Sequence, residues 1–209
     1  MSIVAIVSQK GGSGKTTLAL HLATAAIAAK KKALVIDMDP QATASAWADW
    51  RGNFLPEVVT SPPARLARTI EKARARDGID FFVIDTPPHA DAAAREAIKL
   101  ADVVLVPSRP RAFDLHALEA TAEMTGAADK QGHVLLNAVP AGATRLVADA
   151  EKVVADMGLA TCPVRFGDRA DFHRSSQSGE VAAEIDLRGK AAQEVSALWK
   201  WIDKQLKKA

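Results

Sequence analysis

Residues 7–17, Val7-Ser8-Gln9-Lys10-Gly11-Gly12-Ser13-Gly14-Lys15-Thr16-Thr17, constrain this chain more than any other stretch. An apolar run, Ile3-Val4-Ala5-Ile6-Val7, leads into them, and an Ala/Leu-rich helical pattern from Leu18 to Ala29 leads out. Strand, glycine loop and helix in direct succession make the setting in which such a loop binds phosphate. Glycines let successive backbone N–H groups turn toward one anion, and the helix begun near Lys15 adds its positive end. Lys15 is placed to reach β- and γ-phosphates, and the Thr16 hydroxyl to ligate Mg²⁺. Gly11, Gly12, Ser13, Gly14 and Thr17 complete the candidate cradle.

The standard loop pattern needs glycine where this chain has Gln9, and a second lysine, Lys10, opens the loop. Two strand ends supply acidic groups. Ala33-Leu34-Val35-Ile36 runs into Asp37-Met38-Asp39-Pro40-Gln41, and Phe81-Phe82-Val83-Ile84 runs into Asp85-Thr86-Pro87-Pro88. An apolar strand ending in aspartate is a weak signal alone. Behind a phosphate loop it reads as a metal-side carboxylate, so Asp85 is expected to hold Mg²⁺ directly or through water.

The K-G-G-x-G-K-T-T loop resembles the deviant Walker A motif of the ParA/MinD family of ATPases. That resemblance implies ATP and Mg²⁺ as ligands, and a Lys10 that reaches across a dimer to the partner's nucleotide. It also implies a water-orienting role for Asp39, a metal-side role for Asp37, and a γ-phosphate-sensing segment at Thr86-Pro87-Pro88. Lys10, Lys15 and Asp39 are then the catalytic candidates, and Thr16, Asp37 and Asp85 the metal-side ones. Ser108-Arg109-Pro110-Arg111 resembles the family's proline-containing segment at the dimer face. Arg109 and Arg111 are either solvated or in contact with the partner or its nucleotide. Asn137 and the Arg165-Phe166-Gly167-Asp168 loop stand where the family borders adenine, which makes Asn137 and Phe166 candidate nucleotide contacts.

With 48% hydrophobic residues in 209, the chain has enough apolar side chains for a substantial core in one domain. One cysteine, Cys162, excludes a disulfide framework and argues against a cysteine-held metal. No apolar run approaches the roughly 18 residues of a membrane span. The first residues read as a strand, with no basic n-region and no cleavage site, so a cytoplasmic location is expected. The net charge of +2 neither demands nor excludes nucleic acid.

Apolar strands alternate with helical patterns to the C-terminus. The fold class expected is α/β: a doubly wound, mostly parallel sheet with helices on both faces, with its site at the C-terminal strand ends. Loop signals cluster at Gly52, Asn53, Pro56, Pro62 and Pro63, around a short edge strand Glu57-Val58-Val59-Thr60. Residues 180–189 read as irregular. Ala191 to Leu206 reads as a last helix with Val195, Leu198, Trp199, Ile202 and Leu206 on one stripe.

Function divides three ways. The resemblance implies first an ATPase that closes into a homodimer on ATP and binds DNA without sequence preference. It would be switched off by a ParB-like or other activating adaptor and would carry a plasmid, a chromosome or a large protein complex. Arg165, Arg169, Arg174, Lys190 and Lys200 are the candidate DNA contacts. The chain opens directly on the sheet, as in small ParA-type proteins without a helix-turn-helix segment. The second reading is a MinD-like membrane-associated ATPase, in which the basic last helix would be the anchor. The third is a small-molecule ATP-dependent ligase on the same scaffold. A tyrosine kinase of this fold is disfavoured by the absence of tyrosine, and an iron–sulfur carrier by the single cysteine.

Overall fold

Continuously apolar strands belong in a sheet covered on both faces. The computed structural model, which describes residues 1–52 and 55–208, contains such a sheet. Its strands are β1 Ser2–Ile6, β2 Ala33–Asp37, β3 Glu57–Thr60, β4 Phe81–Asp85, β5 Val103–Ser108, β6 Gly132–Leu136 and β7 Ala160–Thr161. The seven are parallel throughout and lie in the order β3-β2-β4-β1-β5-β6-β7. Asn53, expected in the loop before β3, lies outside the described residues.

The period-2 geometry of a strand divides its side chains between two cores. Ile3, Ala5, Leu34, Ile36, Phe82 and Ile84 face one core. It is closed by α3 (Leu66–Asp77), α4 (Asp91–Leu100), α6 (Glu119–Ala127) and α7 (Thr144–Asp156). Val4, Ile6, Ala33, Val35, Phe81 and Val83 face the other. That side is closed by α1 (Lys15–Ala28), α2 (Thr43–Arg51), α8 (Ala170–Ser178) and α10 (Lys190–Leu206). Two short helices, α5 (Ala112–His116) and α9 (Ala182–Ile185), complete the chain. β1 sits at the centre with β4 and β5 on either side, so the loop that leaves it opens where the winding reverses.

Several local details of the fold have physical causes. Pro63 starts a 3-10 turn over Pro63–Arg65, and α3 begins directly after it at Leu66. β7 ends at Thr161 because Pro163 has no N–H to offer, although the Cys162 N–H still donates to the Val134 carbonyl at 2.8 Å. The stretch expected to be irregular holds α9, because the Glu184 carboxylate accepts the Val181 N–H at 2.9 Å and closes a turn. The last helix is core: Val195, Leu198 and Ile202 are buried, and Trp199 packs edge-on to Phe81 at 5.3 Å between ring centroids. Its apolar stripe is therefore covered by the sheet. No helix among the described residues is long and apolar enough to cross a membrane.

Candidate nucleotide site

The loop after β1 is built by backbone conformation. Gly12 and Gly14 adopt φ of 71° and 96°, values that L side chains rarely take. Gly14 caps α1 without any side-chain hydrogen bond, which leaves the first N–H groups of that helix turned toward the loop. A Cβ on Gly14 would collide with the Asn137 amide, so glycine there is a packing requirement as well.

Charged groups converge on this loop from three strands. Asp37 and Asp85 are register partners across β2 and β4, and Asp85 is also paired with Ile6 of β1. Lys15 is buried, and its Nζ donates to the Lys10 carbonyl at 3.3 Å. Burial pulls its ammonium below the usual lysine range, against the opposing fields of Asp85 and Asp39. Asp85 is pushed up to about 7, first by burial. The Thr16 hydroxyl and Lys15 oppose that shift, while Asp37 and Asp39 add to it.

Neither carboxylate oxygen of Asp85 has a hydrogen-bond partner of normal geometry, and neither does the buried Ser13 hydroxyl. A buried orphan carboxylate is costly, and next to an anion cradle it is the group a cation would satisfy. Thr16 and Asp85 therefore fit a Mg²⁺ ion in chemistry and place. No cluster of three or more acidic, histidine or cysteine side chains that could cage a metal occurs among the described residues. Mg²⁺ usually takes one or two protein oxygens and completes its shell with phosphate and water.

Asp37 is engaged differently. Its carboxylate accepts the Asp39 N–H at 3.0 Å, the Ser45 N–H at 3.1 Å and the Ser45 hydroxyl at 3.2 Å. It thus ties β2 to the start of α2 and holds the Asp39 backbone. Asp39 itself is half-buried, with Oδ1 accepting the Gln41 N–H at 2.9 Å. The Lys10 ammonium has no ion pair and no hydrogen bond among the described residues, in contrast to the tethered Lys15.

Beyond the loop lies a cavity of about 230 Å³, lined in part by Gly12, Gly14, Thr17, Arg109, Asn137 and Phe166. Its volume and position suit a nucleoside. Asn137 lines it, but the amide is largely occupied: Nδ2 donates to the Ser13 carbonyl at 2.8 Å, and Oδ1 accepts the Ala138 N–H at 2.8 Å. It braces the loop. Phe166 also lines the cavity, yet its ring is buried and stacked on Phe172 at 4.8 Å.

Several contacts were not legible in the sequence. Gln9 Nε2 donates to Asp91 at the start of α4 at 2.9 Å, and the Thr86 hydroxyl donates to the Ile6 carbonyl at 2.8 Å. The segment after β4 is thereby tied to β1 at its start and to the phosphate loop at its end. Arg109 Nη2 donates to the Gly12 carbonyl at 3.1 Å, so this arginine reaches its own loop. Arg169, a candidate DNA contact, is instead bound to Glu194 at 2.7 Å. Arg165, Arg174, Lys190 and Lys200 remain exposed. Cys162 is buried and its thiol is pushed up to about 11 by burial, which suits packing and not chemistry.

Comparison with known proteins agrees with this geometry. The "Maintenance of carboxysome distribution protein A" of Gloeobacter kilaueensis is 32% identical over 98% of this chain and 93% of its own length. The fold matches MinD in the MinC:MinD cell division complex of Aquifex aeolicus with a TM-score of 0.78 at 18% identity, covering 98% of this chain and 96% of that one. It matches pNOB8 ParA bound to nonspecific DNA with a TM-score of 0.69 at 15% identity, covering 99% of each chain. Residues 4–165 match the family described as the CobQ/CobB/MinD/ParA nucleotide binding domain. The glycine loop on the central strand, the orphaned Asp85 beside it and these likenesses together make the chain a member of that ParA/MinD nucleotide-binding family.

Proposed function

We propose that this chain is an ATPase switch that dimerises on ATP, binds DNA without sequence preference and positions a cargo until an adaptor protein triggers hydrolysis. The observation that carries the reading is the contrast between the two lysines. Lys15 is buried and tethered inside its own loop, whereas the Lys10 ammonium at the loop's edge has no partner among the described residues. A lysine ammonium held at a phosphate site without a counter-charge suits an anion supplied from outside the subunit, here the partner's nucleotide.

In the proposed reaction the loop N–H groups and Lys15 hold the β- and γ-phosphates. Asp39 orients a water for in-line attack on the γ-phosphorus, and the bond to the β-phosphate oxygen breaks to leave ADP and phosphate. Such transfer depends on positioning and charge neutralisation more than on a strong base. Mg²⁺, held by Thr16 and Asp85, would supply charge neutralisation between the phosphates. Asp37 supports this arrangement through its grip on Asp39.

DNA contact is assigned to the exposed Arg165, Arg174, Lys190 and Lys200, without Arg169. The name of the Gloeobacter kilaueensis relative supports a large protein assembly as cargo, ahead of a plasmid. The membrane reading loses its main support, because the stripe of α10 is buried. Gel shifts of a nonspecific duplex with ATP and with ADP test the switch. Binding should require ATP and weaken steeply with salt, since phosphate neutralisation releases counterions. Equal binding with both nucleotides would overturn the switch.

A further inference from the structure

Three charged side chains, Arg109, Asp168 and Arg169, line the cavity beside the phosphate loop together with His173. All but Arg109 have a side-chain partner of complementary type within the chain. Arg169 binds Glu194 through Nη2 at 2.7 Å and Nε at 3.2 Å, and the other Glu194 oxygen accepts the Gly167 N–H at 3.0 Å. Asp168 and His173 meet at 3.2 Å. Arg109 has no ion pair among the described residues. Among the described residues its guanidinium makes one hydrogen bond, to a neutral acceptor, the Gly12 carbonyl at 3.1 Å.

A guanidinium carries five donors and stays charged at any pH a protein tolerates. Here one donor is used, and the group is held half-buried at the rim of an anion cradle. Its backbone is also held in place. Arg109 directly follows β5, the Ser108 hydroxyl donates to the Arg109 carbonyl at 3.1 Å, the Asn137 N–H donates to the Ser108 carbonyl at 2.8 Å, and Pro110 is buried behind it. A charged group fixed by a strand end and anchored to the loop is positioned in advance for a ligand of opposite sign.

We propose that Arg109 is a nucleotide-contacting residue that donates to a phosphate of the nucleotide held in its own subunit. It would approach from the nucleoside side of the loop, opposite the buried Lys15. This rests on the nucleotide-site reading above and adds to it a second fixed cation acting in cis. In that role Arg109 binds ADP as well as ATP, and it acts in the monomer before any dimer forms.

The test is titration of the full-length protein with a fluorescent ADP analogue, with unlabelled ADP as competitor. The variants are Arg109→Gln, which keeps a polar side chain but loses the charge, and Arg109→Lys, which keeps the charge. Loss of one charged hydrogen bond to phosphate should weaken ADP binding by roughly tenfold or more in Arg109→Gln. Arg109→Lys should recover part of the loss, and the salt dependence of binding should be shallower in the Gln variant. The nucleotide-free melting temperatures should stay together, which separates the effect from loosening of the loop. Wild-type ADP affinity in Arg109→Gln would overturn the inference. So would unchanged ADP affinity with loss of ATP-dependent dimerisation alone, which would assign the arginine to the partner's nucleotide. Failure of the wild-type protein to bind ADP at all would instead overturn the nucleotide-site reading on which the inference rests.

Discussion

His21 gives the protein an acid sensitivity that can be sized from its surroundings. It is 3% exposed, in the middle of α1. Nδ1 lies 2.7 Å from the Thr17 carbonyl, and Nε2 accepts the Ala182 N–H at 3.0 Å. Those two contacts fix a neutral ring with its proton on Nδ1, since a doubly protonated ring could not accept from Ala182. Burial lowers the imidazole pKa to about 4 from 6.5, against the Thr17 hydrogen bond and the field of Glu184. The unfolded chain takes up this proton as pH falls through 6.5, and the folded chain resists until about pH 4. The His21 contribution to stability is therefore unpenalised above pH 6.5 and falls between 6.5 and about 4. Asp85, pushed up to about 7, acts in the opposite sense over the same range, so the His21 effect is read as the difference between wild type and a His21 variant. The full penalty is about 3 kcal/mol at 1.36 kcal/mol per pKa unit, and about 2 kcal/mol of it is present by pH 5. Urea unfolding followed by tryptophan fluorescence, from pH 7.5 to 5, measures it. His21→Gln, which can still donate and accept, should lose most of that pH dependence whatever its own stability. Parallel curves for wild type and variant would refute the reasoning. So would a His21 imidazole that titrates near 6.5 by NMR in the folded protein.

Gly14→Ala should abolish binding of a fluorescent ADP analogue, because the new Cβ collides with the Asn137 amide at a φ of 96°; strain of this kind costs about 1–3 kcal/mol, and normal affinity would show that the loop has room. Lys10→Ala should retain nucleotide binding yet stay monomeric with ATP by light scattering, and a dimer of normal affinity would remove its role across the interface. Asp39→Ala should bind ATP and dimerise, with single-turnover hydrolysis reduced by about 10²-fold; hydrolysis at the wild-type rate would discard the water assignment. Leu198→Ala should cost about 2–5 kcal/mol of unfolding free energy, as expected for a fully buried leucine, whereas an anchor helix would lose vesicle binding at little cost in stability.

Much of the site was legible because its chemistry is local. Lys15, Thr16 and the loop glycines are neighbours in sequence, and their spacing is itself the anion cradle. Asp37 and Asp85 each end an apolar strand, and any parallel sheet with those strands at its centre brings their ends to one edge. Glu57–Thr60 and the two acid-ended strands could be placed from hydrophobic pattern and breaker residues alone.

The amino-acid sequence by itself determined the phosphate loop, the acidic strand ends and the α/β alternation, because each is a property of residues a few positions apart. Only the tertiary structure decided which side chains are already engaged. Asn137 reaches Ser13 across 124 positions and braces the loop, and Arg109 reaches Gly12 across 97. Arg169 is neutralised by Glu194, and the stripe of α10 is covered by the sheet. A side chain's type states what it can bind. Whether that capacity is already satisfied depends on long-range packing, and no local pattern records it.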